Sequence, residues 1–176
     1  MVVAVGLGKT TEAPRGARIL RPMIEQRFEE AVRERFARSA FNEWFGAELE
    51  GFDDGRVEIG LHLEPHHLNP GGIIHGGVIA SLLDISIGLA LRTRLPVEFA
   101  HVTTNLSISY LKPCRSGRVV ATGTALHQGR RTGYGEATLT DERSRVLARA
   151  TGSFLIFPMA DVALLGAHSD EPPATG

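Results

Sequence analysis

The sequence has a single cysteine, Cys114, so it can close no internal disulfide and cannot by itself build a cysteine-based zinc site. It has no long hydrophobic run. The longest, Val78 to Leu91, is 14 residues, contains Asp84 and falls short of the ~20 that cross a bilayer. The opening MVVAVGLGK lacks a basic start and is broken by Lys9, unlike a secretory signal. It has almost no net charge, -1 with a pI near 6.7, which gives no reason to expect DNA, RNA or an anionic membrane as partner. Four histidines fall between His62 and His75, yet there is no H-E-x-x-H or cysteine pair, and no metal is expected. No G-x-S-x-G surrounds Ser81, and Cys114 sits in a turn after Lys112-Pro113 with nothing to make it a nucleophile. The reading is a soluble, cytoplasmic protein.

What is present is glycine: 20 of 176 residues, about 11% against a usual ~7%. With 43% hydrophobic and 22% charged residues the chain can bury one core. Residues 1–21 read as a loose arm, 22–160 as the domain and 161–176 as a tail. From Pro22, apolar Ile24, Phe28, Val32 and Phe36 recur every fourth residue, with Glu29/Arg33 and Glu34/Arg38 pairs, predicting an amphipathic helix. A hairpin follows, turning at Asp54-Gly55, with Val57, Ile59, Leu61 and Leu63 on one face. Four later strands and one apolar helix, about Gly76 to Arg92, complete an α+β domain, a six-strand antiparallel meander wrapped on the helix. On the strand HVTTNLSISYLKP, Leu106, Ile108 and Tyr110 are expected on one face and Thr103, Asn105 and Ser107 on the other.

Ten of the fourteen residues from Val78 to Leu91 are apolar, so this helix should be buried nearly all round. Ser81, Asp84 and Gly88 share one stripe of it. A carboxylate there is costly unless hydrogen-bonded or shifted in pKa, and no Lys or Arg stands within a turn. Asp84 is therefore either a structural acid bonded to a neighbour or a general base or nucleophile in a dry pocket. Just before the helix, Asn69-Pro70-Gly71-Gly72-Ile73-Ile74-His75-Gly76-Gly77 places four glycines within seven residues. Glycines at a helix start let a ligand approach free N–H groups, serving an oxyanion or a phosphate. No Lys-Ser or Lys-Thr follows, which excludes a Walker A loop. Gly76 and Asp84 lie ~12 Å apart along one axis. If both serve one substrate, an antiparallel second copy must bring Asp84 to the first copy's Gly76.

The segments HLNPGGIIHGGVIASLLD, TTNLSISYLKP and GRRTGYGEATLTDERSRVLARATGSFLIFP resemble the hotdog-fold acyl-CoA thioesterases, in the PaaI-like branch of the 4-hydroxybenzoyl-CoA thioesterase superfamily, over about Glu43 to Pro158. The resemblance implies that the Gly76 N–H polarises a thioester carbonyl, assisted by Asn69, with His75 bracing the turn. It implies that Asp84 of the facing subunit is base or nucleophile and that Thr103 positions water. The short acid leaves room for that water, which favours general-base attack over a mixed anhydride. Gly77, Ser81 and Asn105 would contact substrate. Lys112 to Arg149 carries eight bases against three acids, and Arg130 and Arg131 match the family's nucleotide-contacting turn. Coenzyme A would enter as part of the substrate, with no separate cofactor, and the site would be shared in a homodimer, with pairing into tetramers open. A non-catalytic acyl-CoA-binding or sensing module and a hotdog dehydratase are the alternatives, although the His-centred dehydratase motifs do not match.

Overall fold

The computed structural model describes residues 29–30 and 32–162. The expected N-terminal arm, the tail beyond 162 and the start of the first helix lie outside the described residues. Residues 32–37 are helical, with Val32 buried and Phe36 packed on the core. The single helix expected here is interrupted at Ser39. Its Oγ accepts the Asn42 N–H at 3.3 Å and caps a second short helix, α1 (Ala40–Phe45). Gly46, at φ 72°, ends α1 in the left-handed conformation.

The hairpin β1 (Glu48–Asp53) and β2 (Arg56–His62) turns at Asp54-Gly55 as its sequence predicts. Val57, Ile59 and Leu61 are fully buried on one face. A short 3-10 turn (Pro65–His67) and a loop lead into α2 (Gly76–Arg92), followed by β3 (Phe99–Tyr110), β4 (Arg118–Gln128), β5 (Thr132–Asp141) and β6 (Val146–Pro158). All pairings are antiparallel and the order is β1-β2-β4-β5-β6-β3. The sheet is thus six-stranded around a central helix, the hotdog fold, but not a simple meander. After α2 crosses the sheet, β3 is laid at the far edge beside β6, and β2 pairs with β4. Bulges at Thr103/Asn105, Ala125/His127 and Leu139/Thr140 interrupt the regular ladders and bend the strands.

Helix α2 lies mainly on β4 and β5. It can do so because the middle of the sheet is built of the smallest residues. Gly123 pairs with Ala137 and Ala137 with Ala150; Ala125 pairs with Gly135 and Gly135 with Gly152. A Cβ at Gly123 would overlap the Ser86 carbonyl of α2, and one at Gly135 would come within 2.6 Å of the Ile87 side chain. Leu82, Leu83, Ile87 and Leu91 then fill the space against Ile59, Leu61, Val119, Leu139 and Leu147. The helix end is tied back by Thr93, whose Oγ1 donates to the Ala90 carbonyl and accepts the Gly55 N–H, each at 2.7 Å.

Gly123→Ala should therefore lift the helix from the sheet and cost about 1–3 kcal/mol in urea unfolding. Gly51→Ala, where a Cβ would meet only Glu58 Oε2 at 4.0 Å, should be near neutral in the same assay.

Candidate active site

The start of α2 is held by its own loop. Asn69 Oδ1 accepts the Gly71 N–H at 2.9 Å and the Ile73 N–H at 3.4 Å, while the Asn69 carbonyl accepts the Gly72 N–H at 2.8 Å. The side-chain oxygen of Asn69 is thus committed to shaping the glycine turn. His75 is the N-cap, and its Nδ1 accepts the Gly77 N–H at 2.9 Å. This braces the turn as expected, and it engages the Gly77 donor. The Gly76 N–H, the first of the helix, meets no acceptor among the described residues. Of the two glycine donors assigned to substrate, the structure leaves Gly76 open and engages Gly77.

Asp84 is half-buried on the next turns of α2. Its Oδ1 accepts the Thr103 hydroxyl at 2.9 Å, a hydrogen bond within one chain. Burial pushes its pKa above the usual carboxylate value, and the Thr103 hydroxyl partly offsets this. One turn on, Gly88 makes room for a ring. A Cβ there would meet His101 at 3.3 Å and Phe154 at 3.4 Å, and these two rings stack edge to face. Burial, then the charges of Arg35 and Arg92, lower the His101 pKa to about 4 against an opposing hydrogen bond to the Gly88 backbone, so its imidazole is neutral at pH 7. Asp84, Thr103 and His101 share a cleft of about 1200 Å³ between the α2 face and the 32–39 segment.

Thr103 reaches Asp84 because β3 does not alternate evenly. Thr103 pairs with Phe154 and Leu106 with Gly152, both on the helix side, with the bulge between Thr103 and Asn105. The expectation that Thr103 and Asn105 share a face is thereby corrected. The extra residue at Thr104 turns Asn105 to the outer face, opposite Ser153, away from Asp84. Ser81 stays half-buried on the Asp84 stripe. Arg130 and Arg131 are exposed in the β4–β5 turn. Gly133 beside them packs on Leu91, so they stand at the C-terminal end of α2 and not beside Gly76 of the same chain. Two bases counted in the local excess are neutralised: Arg118 by Glu48 and Glu50, and Arg145 by Asp141.

The structure adds two groups at the helix start. The Tyr110 hydroxyl donates to the Gly76 carbonyl at 3.3 Å, and its ring lies 3.6–3.7 Å from where a Gly76 Cβ would stand. Its shared face with Leu106 and Ile108 was the signal that it points at the helix. Arg115 Nη1 donates to the Gly71 and Gly72 carbonyls at 3.1 and 3.2 Å. Both nitrogens of His67 are engaged, Nδ1 by the Glu64 N–H and Nε2 by the Phe45 carbonyl, so this histidine braces a loop.

A hotdog sheet around one central helix, with one open glycine N–H at the helix start and an acid two turns on, matches a class, the thioester hydrolases. The Thioesterase superfamily profile matches residues 71–148. VNG_1336C of Halobacterium salinarum is 34% identical over 125 residues, 65% of this chain and 82% of that protein. The medium/long-chain acyl-CoA thioesterase YigI of Escherichia coli is 29% identical over 134 residues, 66% of this chain and 84% of that protein. The structure of Escherichia coli PaaI, from the phenylacetic acid degradation operon, superposes with a TM-score of 0.69 at 21% identity, covering 75% of this chain and 94% of PaaI. The chain belongs to the thioesterase superfamily. Among the described residues no helix is long and apolar enough to cross a membrane.

A carboxyl whose folded pKa is raised holds its proton more tightly when folded, so its ionisation above the unfolded value of 3.8 costs stability. Asp84→Asn, which can still accept from Thr103, should raise the unfolding temperature at pH 7. The gain over wild type should shrink as the pH falls below the ordinary carboxylate range.

Proposed function

We propose that the chain hydrolyses acyl-CoA thioesters to free acid and coenzyme A, with Asp84 as general base. The observation that carries this reading is a half-buried carboxylate held by a single hydroxyl, with no cation beside it among the described residues. Such an acid is costly to keep and well suited to accept a proton. The name and coverage of YigI support the substrate class.

In the proposed reaction the Thr103 hydroxyl fixes one oxygen of Asp84 and leaves the other to take a proton from water. The water oxygen bonds to the thioester carbonyl carbon, and the resulting oxyanion is stabilised by the Gly76 N–H at the positive end of α2. Collapse breaks the carbon–sulfur bond, and the thiolate recovers the proton from Asp84. His75 fixes the geometry by capping the helix, and Tyr110 holds the Gly76 peptide from the other side. The alternative of a pure acyl-CoA binder gives the Asp84 charge no use.

One carbonyl cannot touch Gly76 and Asp84 of the same straight helix, ~12 Å apart. We therefore propose a homodimer in which Asp84 of one copy faces Gly76 of the other. Two features favour it. Strand β3 is a twelve-residue edge with exposed Val102 and Tyr110, followed by exposed Leu111. The first half of α2 also keeps an open stripe at Gly77, Ser81 and Asp84, while Ser86 to Arg92 is wholly buried.

With acyl-CoA and a thiol reagent, Asp84→Asn should lower kcat by roughly 10²–10⁴-fold, with binding retained. Unchanged turnover would remove Asp84 from the mechanism. Gly76 occupies the first helical position, where proline fits without breaking the helix, so Gly76→Pro deletes its N–H alone. Mixing the two inactive variants under exchange should restore about a quarter of wild-type activity if sites are shared across a two-fold dimer. No recovery despite heterodimer formation would place each site within one chain.

A further inference from the structure

Beyond the reacting groups, the cleft has a far end of different character. Asp84, Ile85, Gly88, Leu89 and Arg92 lie at one face of α2 and all line it. Arg92 stands two turns beyond Asp84, ~12 Å along the axis. Between them the walls are apolar, from Phe36, Val102 and Phe154, and Gly88 leaves the floor flat beneath His101.

Arg92 is buried, yet its guanidinium donates only to backbone, to the Phe99 and Pro96 carbonyls. Neither it nor Arg35, which lines the cleft from the 32–37 segment, forms an ion pair among the described residues. The nearby acids are otherwise placed. Glu34 pairs with Arg38 at 3.8 Å, and Glu98 attracts Arg92 without closing to ion-pair distance. A buried guanidinium with spare donors and no ion-paired carboxylate among the described residues is unusual, because its desolvation is normally offset by a close acid. Burial first, and then the charges of these same two arginines, lower the pKa of the adjacent His101.

Resting on the thioesterase reading above, we propose that this cleft takes acyl groups whose distal end carries a carboxylate, held by Arg35 and Arg92. The thioester then lies at Asp84 and a medium-length chain runs along the Gly88 floor. The distal carboxylate supplies the ion-pair partner that the two arginines lack among the described residues, and neutral His101 adds a dipole without competing for the charge. Specificity follows from the cost of the alternative: a methyl-terminated chain lays hydrocarbon against the buried Arg92 guanidinium and offers Arg35 no partner.

The test compares octanoyl-CoA with suberyl-CoA, its ω-carboxy counterpart, on wild type and on Arg35→Gln. Arg35 is exposed, so its replacement spares the fold, whereas Arg92 also ties down two carbonyls. Wild type should favour suberyl-CoA in kcat/KM by about tenfold or more, and Arg35→Gln should reduce that ratio toward one, with Arg35→Lys restoring part of it. Equal hydrolysis of the two by wild type, or a preference that survives Arg35→Gln, overturns the proposal. An equal loss on both substrates would assign Arg35 to the coenzyme A phosphates and also overturn it. Failure of wild type to cleave either thioester, or any other acyl-CoA, would instead refute the hydrolase reading on which the proposal stands.

Discussion

The structure depends on how closely α2 approaches the sheet. At Gly123 the helix backbone comes so near that no β-carbon fits, and Gly135 and Gly152 continue the same shallow saddle across three strands. A sheet with ordinary side chains there would hold a helix some ångströms further out. The distance matters for chemistry because the stripe of α2 that carries Asp84 and Gly88 does not face the saddle. It faces the β3–β6 edge, where Thr103, His101 and Phe154 wait. The hydrogen bond from Thr103 to Asp84 is a consequence of helix height, and so is the fit of His101 against Gly88.

That dependence explains which parts of the protein were legible in its sequence. The hairpin at Asp54-Gly55, the alternation of Val57, Ile59 and Leu61, and the apolar helix with its anomalous acid are all local patterns, and periodicity reports local structure well. The glycines of β4, β5 and β6 are conspicuous by count but silent by position. Nothing near Gly123 in the chain announces that Ser86 will lie on it. Likewise the placement of β3 beside β6 is a matter of long-range pairing, invisible to alternation alone. The bulge at Thr103/Asn105 inverts the phase of one strand, so reading outward from Leu106 assigned Thr103 to the wrong side.

The same contrast holds at the site. Asp84 stood out because a charge in a hydrophobic run is a violation that needs no tertiary knowledge to notice. Tyr110 did not, although its phase with Leu106 and Ile108 was correct, because an aromatic on an inner face reads as core. Arg130 and Arg131 stand out in the sequence only by a turn pattern, and the fold sets them at the opposite end of the helix from Gly76. They can serve the proposed chemistry only from a second subunit or along an extended coenzyme A.

The helix start illustrates how few groups are left uncommitted. The Asn69 side-chain oxygen is engaged by Gly71 and Ile73, the Gly77 donor by His75, and the Gly76 carbonyl receives Tyr110. A run of glycines offers, in principle, several exposed N–H groups that could bind an anion in several ways. By satisfying the neighbours, the loop leaves the Gly76 N–H as the open donor of the turn, backed by the helix dipole. An oxyanion placed there would find a fixed partner rather than a flexible cradle. A site that stabilises charge by preorganisation needs that rigidity, since donors that must reorient lose much of their advantage at the moment of reaction.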